Sequence, residues 1–314
     1  MVLIGVVRSG LVESRHPVTV AAVDGSGAVV FRSGEDQGTP FFLRSAAKPF
    51  QAAVSQRNGA ALAPEQLAVA AGSHGGQPVH VALVEEMLAS VGLGPEHLLC
   101  PPARPSSESA LCRLAAAGAA GPRRVFHNCS GKHAAMLRAC VARDWPLAYT
   151  DPGHPLQQEI LAEVGASTGE PPGPVGVDGC GVPTLRGTTA GLARDFARLA
   201  TDPALAPVAD AMARLAPLTC DGDRAEAELA RWCHAAVKGG AQGCVGVAWP
   251  GGLGVAAKCW TGQAAPAMAA VATALRRLGI LSEHGWEMLA EVAHPVVAGG
   301  GCPVGRLEVL EGGP

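Results

Sequence analysis

The stretch Phe41-Phe42-Leu43-Arg44-Ser45-Ala46-Ala47-Lys48-Pro49 decides the fold, because strand patterns give way there to helix patterns. Residues 41–43 are apolar and few, as in a short strand. Ser45 has the chemistry of a helix N-cap, and Pro49 is tolerated only in the first turn of a helix. The sequence therefore predicts a helix that begins at Ser45 or just before it.

Strand patterns lie on both sides of a helical middle. They cover residues 2–8, 18–23, 28–31 and 41–43 near one end, and 244–249, 253–260 and 305–310 near the other. Helix patterns separated by Gly and Pro fill the middle, the last of them over 224–237, and two more helices are expected at 267–278 and 282–292. This order predicts an α/β (α+β) chain with one antiparallel sheet, built from residues 1–44 and 244–314. A helical lobe of residues 45–243 is inserted, and we expect a single catalytic domain over residues 1–314.

Composition excludes several classes of protein. Hydrophobic residues make up 48% and charged residues 16% of the 314, which argues against a disordered chain. The net charge of −3, with no basic run, gives no reason to expect a nucleic-acid partner. The apolar stretches are too short to cross a membrane, and no signal peptide is recognisable. We therefore expect a cytoplasmic protein with neither a nucleic-acid nor a membrane partner.

Lysine is scarce in this chain. The basic residues are nearly all Arg, and the lysines are Lys48, Lys132, Lys238 and Lys258. Only lysine can lose its proton near neutral pH and act as a base or a metal ligand, so each lysine is a place to look for chemistry. The ten cysteines form no C-x-x-C pair, and in an intracellular chain most are expected to be reduced.

The first candidate is the pair Ser45-x-x-Lys48. At a helix start, residues three apart share a face, and a lysine whose pKa falls toward neutrality can activate a serine. The helix N-terminus also presents N–H groups to an oxyanion. The alternative is an N-cap serine followed by a solvated lysine.

Two further segments could complete such a site. Ser73-His74-Gly75-Gly76 is typical of a loop that approaches a ligand closely, although a polar turn explains it equally. Lys258 precedes Thr261-Gly262 on a predicted strand, an expanded form of the K-T-G box that accompanies S-x-x-K. An edge-strand lysine that prevents aggregation is the alternative reading of Lys258.

Two cysteine segments predict a metal site. Cys129 and Lys132 stand three apart at a probable helix start, and Asp178 and Cys180 flank a glycine. Two thiolates with a nitrogen or carboxylate ligand suit a zinc ion, although a lysine ligand is unusual because its amine must be neutral. Buried structural cysteines and a turn aspartate are the alternative.

Taken together, these segments resemble the rhizobial-type L-asparaginases. The likeness extends from near the N-terminus to beyond residue 258. It is carried by residues 12–16, 44–49, 73–76, 127–133, 178–183 and 252–258, which include Ser73-His74-x-Gly76 and Asn128-Cys129-Ser130-Gly131-Lys132. Gly75 and Gln77 depart from the family pattern, which has a small hydroxyl residue and an acidic residue there.

The resemblance implies a serine β-lactamase/glutaminase-like fold and hydrolysis of L-asparagine to aspartate and ammonia. It implies two catalytic pairs, Ser45 with Lys48 and Ser73 with Lys258. Substrate-binding roles are implied for Arg44, His74, Ser130 and Asp178, and an auxiliary zinc ligated by Cys129, Lys132 and Cys180. A homodimer is also expected.

Three alternatives stay open at this point. One is another Ser-Lys hydrolase, such as a peptidase, an esterase or a β-lactamase. The second is an enzyme that uses zinc-bound water as its nucleophile. The third is a non-catalytic protein that binds an amino acid or zinc.

Overall fold

A large antiparallel sheet lies between two helical layers in the computed structural model, which describes residues 2–34, 38–119, 121–168 and 175–310. The strands are β1 Val2–Arg8, β2 Leu11–Asp24, β3 Val29–Ser33, β4 Phe41–Phe42, β5 Gly176–Val177, β6 Pro183–Thr184, β7 Arg186–Gly187, β8 Ala236–Gly240, β9 Cys244–Trp249, β10 Leu253–Cys259, β11 Val296–Gly299 and β12 Cys302–Val309.

The sheet is assembled from both ends of the chain, as the sequence predicts. Its order is β11-β12-β1-β2-β10-β9-β8, and β3 pairs with the second half of β2. The N-terminal hairpin β1–β2 therefore lies between strands from the C-terminal part. Strand β8 ends the order and has one edge free of strand partners among the described residues.

The helices occupy the middle of the chain and its last quarter. They are α1 Lys48–Ser55, α2 Pro64–Ala71, α3 Pro78–Ala89, α4 Glu108–Ala116, α5 Ser130–Ala142, α6 Pro155–Thr168, α7 Thr189–Thr201, α8 Ala206–Arg214, α9 Ala216–Thr219, α10 Ala225–Cys233, α11 Ala264–Arg277, α12 Glu283–Met288 and α13 Ala290–Ala293. Among the described residues, no helix is both long and apolar enough to cross a bilayer.

Strand alternation divides the core into two parts. On β10, Ala256 faces the core of the helical lobe, whereas Val255 and Ala257 face the second core, to which α11 contributes. Helix α7 lies very close to β10, since a Cβ at Gly254 would be 2.0 Å from the Ala193 carbonyl oxygen. Glycine is required there because any side chain would push α7 away from the sheet. This close packing fixes the helical lobe on one face of the sheet.

The sequence prediction is wrong at the end of the lobe. Residues 224–237 were expected to form one helix, but α10 ends at Cys233, His234 takes a left-handed backbone, and β8 begins at Ala236. A short apolar run such as 235–237 fits a helix or a strand equally by periodicity, and Gly239 and Gly240 disfavour a helix. The sheet thus includes residues that were assigned to the lobe. Strand β11, which pairs with β12, was also missed.

Candidate active site

Ser45 lies in the turn that joins β4 to α1. A 3₁₀ turn over Arg44–Ala47 leads into α1, so Lys48 is the first residue of the helix and the missing N–H of Pro49 costs no hydrogen bond. Ser45 is half-buried, and no hydrogen bond to its hydroxyl occurs within the described residues. Its own N–H belongs to the first turn, where no intrahelical acceptor exists. The hydroxyl and the N–H are therefore both available to a ligand.

The backbone just before Ser45 is strained. Arg44 has a φ of +52°, in the left-handed region that costs a non-glycine residue roughly 1 kcal/mol or more. An ion pair of 2.6 Å between Arg44 Nε and Asp178 Oδ1 anchors this residue. Burial acts to raise the pKa of Asp178, but the positive charges of Lys132 and Arg44 outweigh it and lower that pKa. Asp178 is thus a carboxylate that ties the Ser45 turn to the segment around Cys180.

Lys48 is completely buried and contacts Ser73. Its ammonium donates hydrogen bonds to the Gly72 carbonyl at 2.5 Å, to Ser73 Oγ at 2.9 Å and to the Asn128 carbonyl at 3.1 Å. These three acceptors belong to the ends of two separate helix–loop segments. The alternative of a solvated lysine is therefore excluded for Lys48, whose side chain is 0% exposed.

The environment of Lys48 favours its neutral form. Burial is the main reason that its pKa falls from 10.5 to about 8, and the charges of Lys132 and Lys238 also lower it, against the nearby cysteines. An amine with this pKa, bonded to the Ser73 hydroxyl, has the chemistry of a general base.

His74 and Ser130 are bonded within the protein. His74 Nδ1 accepts from the Gly76 N–H at 3.2 Å, so its other nitrogen carries the proton and donates to Ser130 Oγ at 3.0 Å. Ser130 in turn donates to the Val125 carbonyl at 2.9 Å. Both side chains are fully buried, and burial lowers the pKa of His74 well below its ordinary value. Their contacts support the Ser73 loop.

Lys258 is not paired with Ser73. Its ammonium donates to the carbonyls of Gln242 and Cys259 and lies about equally far from two rings, 5.6 Å from Phe41 and 5.5 Å from Trp260. The hydrogen bond to the Ser73 hydroxyl comes from Lys48 instead. The predicted Ser73–Lys258 pair is therefore absent from the hydrogen bonds of the described residues. The reason is that Lys258 projects toward the β8–β9 turn.

Lys238 is a lysine that the sequence interpretation left without a role. It lies on β8, is 1% exposed, and forms an ion pair of 3.2 Å with Glu226 on α10. It is close enough to Lys48 for its charge to lower that pKa. The signal that could have found it is Lys238-Gly239-Gly240, a K-x-G triplet on an edge strand. That triplet was overlooked because the preceding residues were assigned to a helix.

The four residues of the predicted metal site lie together. Lys132 Nζ is 3.3 Å from Cys180 Sγ, and Cys180 Sγ is 3.7 Å from Asp178 Oδ2. The pKa of Cys129 is lowered well below its ordinary value, mainly by a hydrogen bond from Cys180. The same hydrogen bond and burial raise the pKa of Cys180. Burial acts to lower the pKa of Lys132, but the Cys180 and Cys129 charges outweigh it and raise that pKa. A thiolate, a thiol and an ammonium therefore share one buried cluster.

Comparison with known proteins decides the family. The family model for L-asparaginase II matches residues 4–309, nearly the whole chain. The chain belongs to the L-asparaginase II family. This family agrees with the resemblance that the sequence motifs indicated.

Other comparisons add little to this result. This member of the L-asparaginase II family is similar to the crystal structure of Mglu in its tris and glutamate form, with 16% identity and a TM-score of 0.45. The alignment covers 87% of this chain, which spans only 62% of the Mglu chain. No curated protein matches the sequence.

The donor set of this L-asparaginase II member fits a zinc ion. Ligands of one tetrahedral zinc stand about 3.3–3.8 Å apart, given Zn–S and Zn–N bonds of about 2.3 and 2.0 Å. The 3.3 Å between Lys132 Nζ and Cys180 Sγ agrees with this spacing, and Cys129 is in contact with Cys180. In the described part of the chain, no three His, Cys, Asp or Glu side chains could hold a metal by themselves. A zinc ion bound here would therefore need the Lys132 amine, in its neutral form, as a third donor.

Proposed function

We propose that this chain hydrolyses the side-chain amide of L-asparagine to aspartate and ammonia through a covalent Ser45 ester. The observation that carries the proposal is the buried amine of Lys48, bonded to Ser73 and one helical turn from the unbonded hydroxyl of Ser45. Family membership supports an amidohydrolase, and a Ser-Lys pair is a known way to activate a serine without histidine.

In the first half-reaction Ser45 Oγ attacks the amide carbon of the substrate. Lys48 in its neutral form accepts the hydroxyl proton, and the carbonyl oxygen becomes an oxyanion next to the N–H groups of the 44–47 turn. The C–N bond then breaks. The departing nitrogen takes a proton that passes from Lys48 through the Ser73 hydroxyl, and ammonia leaves.

In the second half-reaction water attacks the ester. Lys48, neutral again, accepts a proton from the water, with Ser73 as the relay. The Ser45 oxygen leaves as the ester bond breaks and recovers its proton from Lys48. Atoms and charges balance, because one water is consumed for each amide and Ser45, Lys48 and Ser73 return to their starting states.

The α-amino and α-carboxylate groups of the substrate need charged partners. Arg44 is 28% exposed at its side chain and stands next to Ser45, so its guanidinium is suited to a carboxylate. Asp178 is suited to an ammonium group and is held in place by Arg44 itself. Zinc bound by Cys129, Lys132 and Cys180 would supply Lewis-acid attraction for this polar end of the substrate.

We assign Lys258 a positioning role in this mechanism. Its hydrogen bonds tie the β8–β9 turn to β10, and its contact with Phe41 reaches the strand that precedes the Ser45 turn. His74 and Ser130 similarly support the Ser73 loop from behind. Lys48 is thus the lysine proposed to transfer protons to and from both serines.

The proposal is tested by measuring ammonia release from L-asparagine and, in parallel, from L-glutamine, with zinc present and after chelation. We expect release from asparagine that weakens but persists without metal. No release under any of these conditions would refute the proposed activity. Complete loss on chelation would instead favour zinc-bound water as the nucleophile.

We also propose that residues 1–314 act as a single catalytic domain and that the chain forms a homodimer, as the family resemblance suggests. Light scattering on a size-exclusion column would test the dimer. A mass near 31.7 kDa, that of one chain, would refute it.

A further inference from the structure

The two positions that depart from the family pattern both contact Asp221, in the loop between α9 and α10. Gly75 and Gln77 stand where that pattern has a small hydroxyl residue and an acidic residue. A Cβ added at Gly75 would lie 2.0 Å from Asp221 Oδ2 and 2.3 Å from Asp221 Oδ1. Gln77 Nε2 donates a hydrogen bond of 3.0 Å to Asp221 Oδ1. The carboxylate of Asp221 therefore occupies the space that a side chain at 75 would fill.

Both departures suit an aspartate at 221. A serine at 75 would overlap the carboxylate, because its Cβ would stand far inside van der Waals contact with both oxygens. A glutamate at 77 would place a second carboxylate beside the first, and two like charges this close repel each other. Asp221 is only 6% exposed, so water screens that repulsion poorly. Gly75 and Gln77 are thus residues that Asp221 permits, and the family pattern at these two positions is not compatible with it.

The segment that carries Asp221 also holds the backbone of Ser73. The carbonyl of Thr219 accepts a hydrogen bond of 2.6 Å from the Ser73 N–H. A Cβ added at Gly72 would lie 2.5 Å from the same carbonyl oxygen, so the two segments are in close contact. The Ser73 hydroxyl in turn accepts from Lys48. The place of that hydroxyl beside the lysine therefore depends on how the Ser73 loop packs against the Asp221 segment.

We propose that Asp221 is a positioning residue for Ser73. Its carboxylate fills the space beside Gly75 and accepts the hydrogen bond from Gln77, and these contacts hold the Ser73 hydroxyl within reach of Lys48. One side chain from the α9–α10 loop thus replaces the two side chains that the family pattern has in the Ser73 loop itself. This inference rests on the proposed function, in which Ser73 relays protons, and deepens it by naming a residue that keeps the relay in place.

The first test removes the carboxylate of Asp221 and measures ammonia release from L-asparagine. Asp221→Ala should lower kcat at least about tenfold and leave KM within about threefold, because Ser73 is assigned to proton transfer and not to substrate binding. Asp221→Asn keeps the shape and an acceptor oxygen for Gln77, so it should retain at least about half of the activity. Asp223→Ala, at an exposed aspartate of the same loop, is the matched control and should leave both constants unchanged.

The second test exchanges the two arrangements. Gly75→Ser in the wild type should lower kcat at least about tenfold, because the new side chain displaces the carboxylate. In the Asp221→Gly background the same substitution should raise kcat, since the space is then empty. The triple variant Gly75→Ser/Gln77→Glu/Asp221→Gly restores the family pattern at both positions and should recover at least about a third of the wild-type activity. Such a change of sign identifies a direct contact, because independent defects would add.

Two readouts need no substrate. The Ser73 amide, bonded to the Thr219 carbonyl, should exchange its hydrogen at least about tenfold faster in Asp221→Ala and in Gly75→Ser than in the wild type. In the triple variant its exchange rate should return to within about threefold of the wild-type rate. The melting temperature should show the same change of sign for Gly75→Ser between the two backgrounds. Circular dichroism verifies that each variant is folded.

The outcomes are distinct. An unchanged kcat in folded Asp221→Ala, or a triple variant that neither folds nor recovers activity, overturns the inference while leaving the proposed function intact. A raised KM with kcat unchanged in Asp221→Ala also overturns it, because Asp221 would then contact the substrate. If the wild type fails to hydrolyse asparagine, the proposed function fails. The exchange rates and melting temperatures then decide the inference: the change of sign supports it, and equal effects of Gly75→Ser in both backgrounds overturn it.

Discussion

The ammonium of Lys48 donates a hydrogen bond of 2.9 Å to the hydroxyl of Ser73, 25 residues away in sequence. Ser45 lies three residues before Lys48 in the sequence. Because Lys48 also bonds to the carbonyls of Gly72 and Asn128, its position is fixed by three separate groups. A buried lysine therefore joins the segment after α2 to the segment before α5.

The two serines should differ in the size of their effects. Ser45→Ala removes the nucleophile and should lower kcat by at least about 10³-fold, whereas Ser73→Ala removes a proton relay and should cost about 10²-fold. Steady-state ammonia release measures both, and Ser106→Ala, an exposed serine, is the matched control. Substantial turnover by a folded Ser45→Ala variant would contradict the assignment of the nucleophile.

Activity should rise with pH through the pKa of Lys48. The base must be neutral, burial lowers its pKa from 10.5 to about 8, and the neutral fraction therefore grows as pH increases toward and past 8. Below that value kcat/KM should fall about tenfold per pH unit. A pH profile from 5.5 to 9.5 measures this, and Lys48→Met should abolish the acid limb along with most of the activity. An acid limb absent from the wild type would argue against Lys48 as the base.

Zinc binding should depend on the cysteine cluster while hydrolysis depends on it less. Cys129→Ala or Cys180→Ala removes a sulfur donor and should weaken zinc binding at least about 100-fold, as seen by competition with a chelator dye. The KM for asparagine should rise about tenfold with kcat nearly unchanged, because the metal is assigned to substrate binding. Cys112→Ala, at an exposed cysteine, is the control. Undiminished zinc binding in both variants would place the metal elsewhere.

Replacing Lys258 should leave the pH dependence in place. Lys258→Met removes the ties to Gln242 and Cys259 and the contacts with two rings, so activity should fall about tenfold and the melting temperature should drop. The acid limb should stay near pH 8, since Lys48 and not Lys258 contacts Ser73. A shifted or missing acid limb in this variant would restore Lys258 to the proton-transfer chain.

Sequence alone was sufficient for the architecture and for part of the site. Strand periodicity at both chain ends predicted the antiparallel sheet, and Pro49 located the start of α1 within one turn. Ser45 and Lys48 remain near each other in the folded chain because they are only three residues apart in sequence. A local pattern cannot provide the partner of a side chain across the fold. For this reason the sequence did not predict the hydrogen bond between Ser73 and Lys48.

The sequence interpretation assigned no role to Lys238, and this has a related physical cause. Whether residues 235–237 form a helix or a strand depends on the neighbour that buries them, here β9, and periodicity does not encode that neighbour. The left-handed backbone of Arg44 could not be anticipated either, because it is supported by Asp178, a residue 134 positions away. In both cases a contact made only in the folded chain overrides the local preference.

The burial of Lys48 also bears on how the protein acquires activity as it folds. An ammonium group gives up its hydration only when replacement acceptors are in place, and here they come from residues 72, 73 and 128. Loops this far apart in sequence close late and at an entropic cost. A nascent chain or a fragment that ends before Asn128 therefore cannot stabilise the base, and catalytic competence should be among the last properties to emerge on the ribosome or after dilution from denaturant.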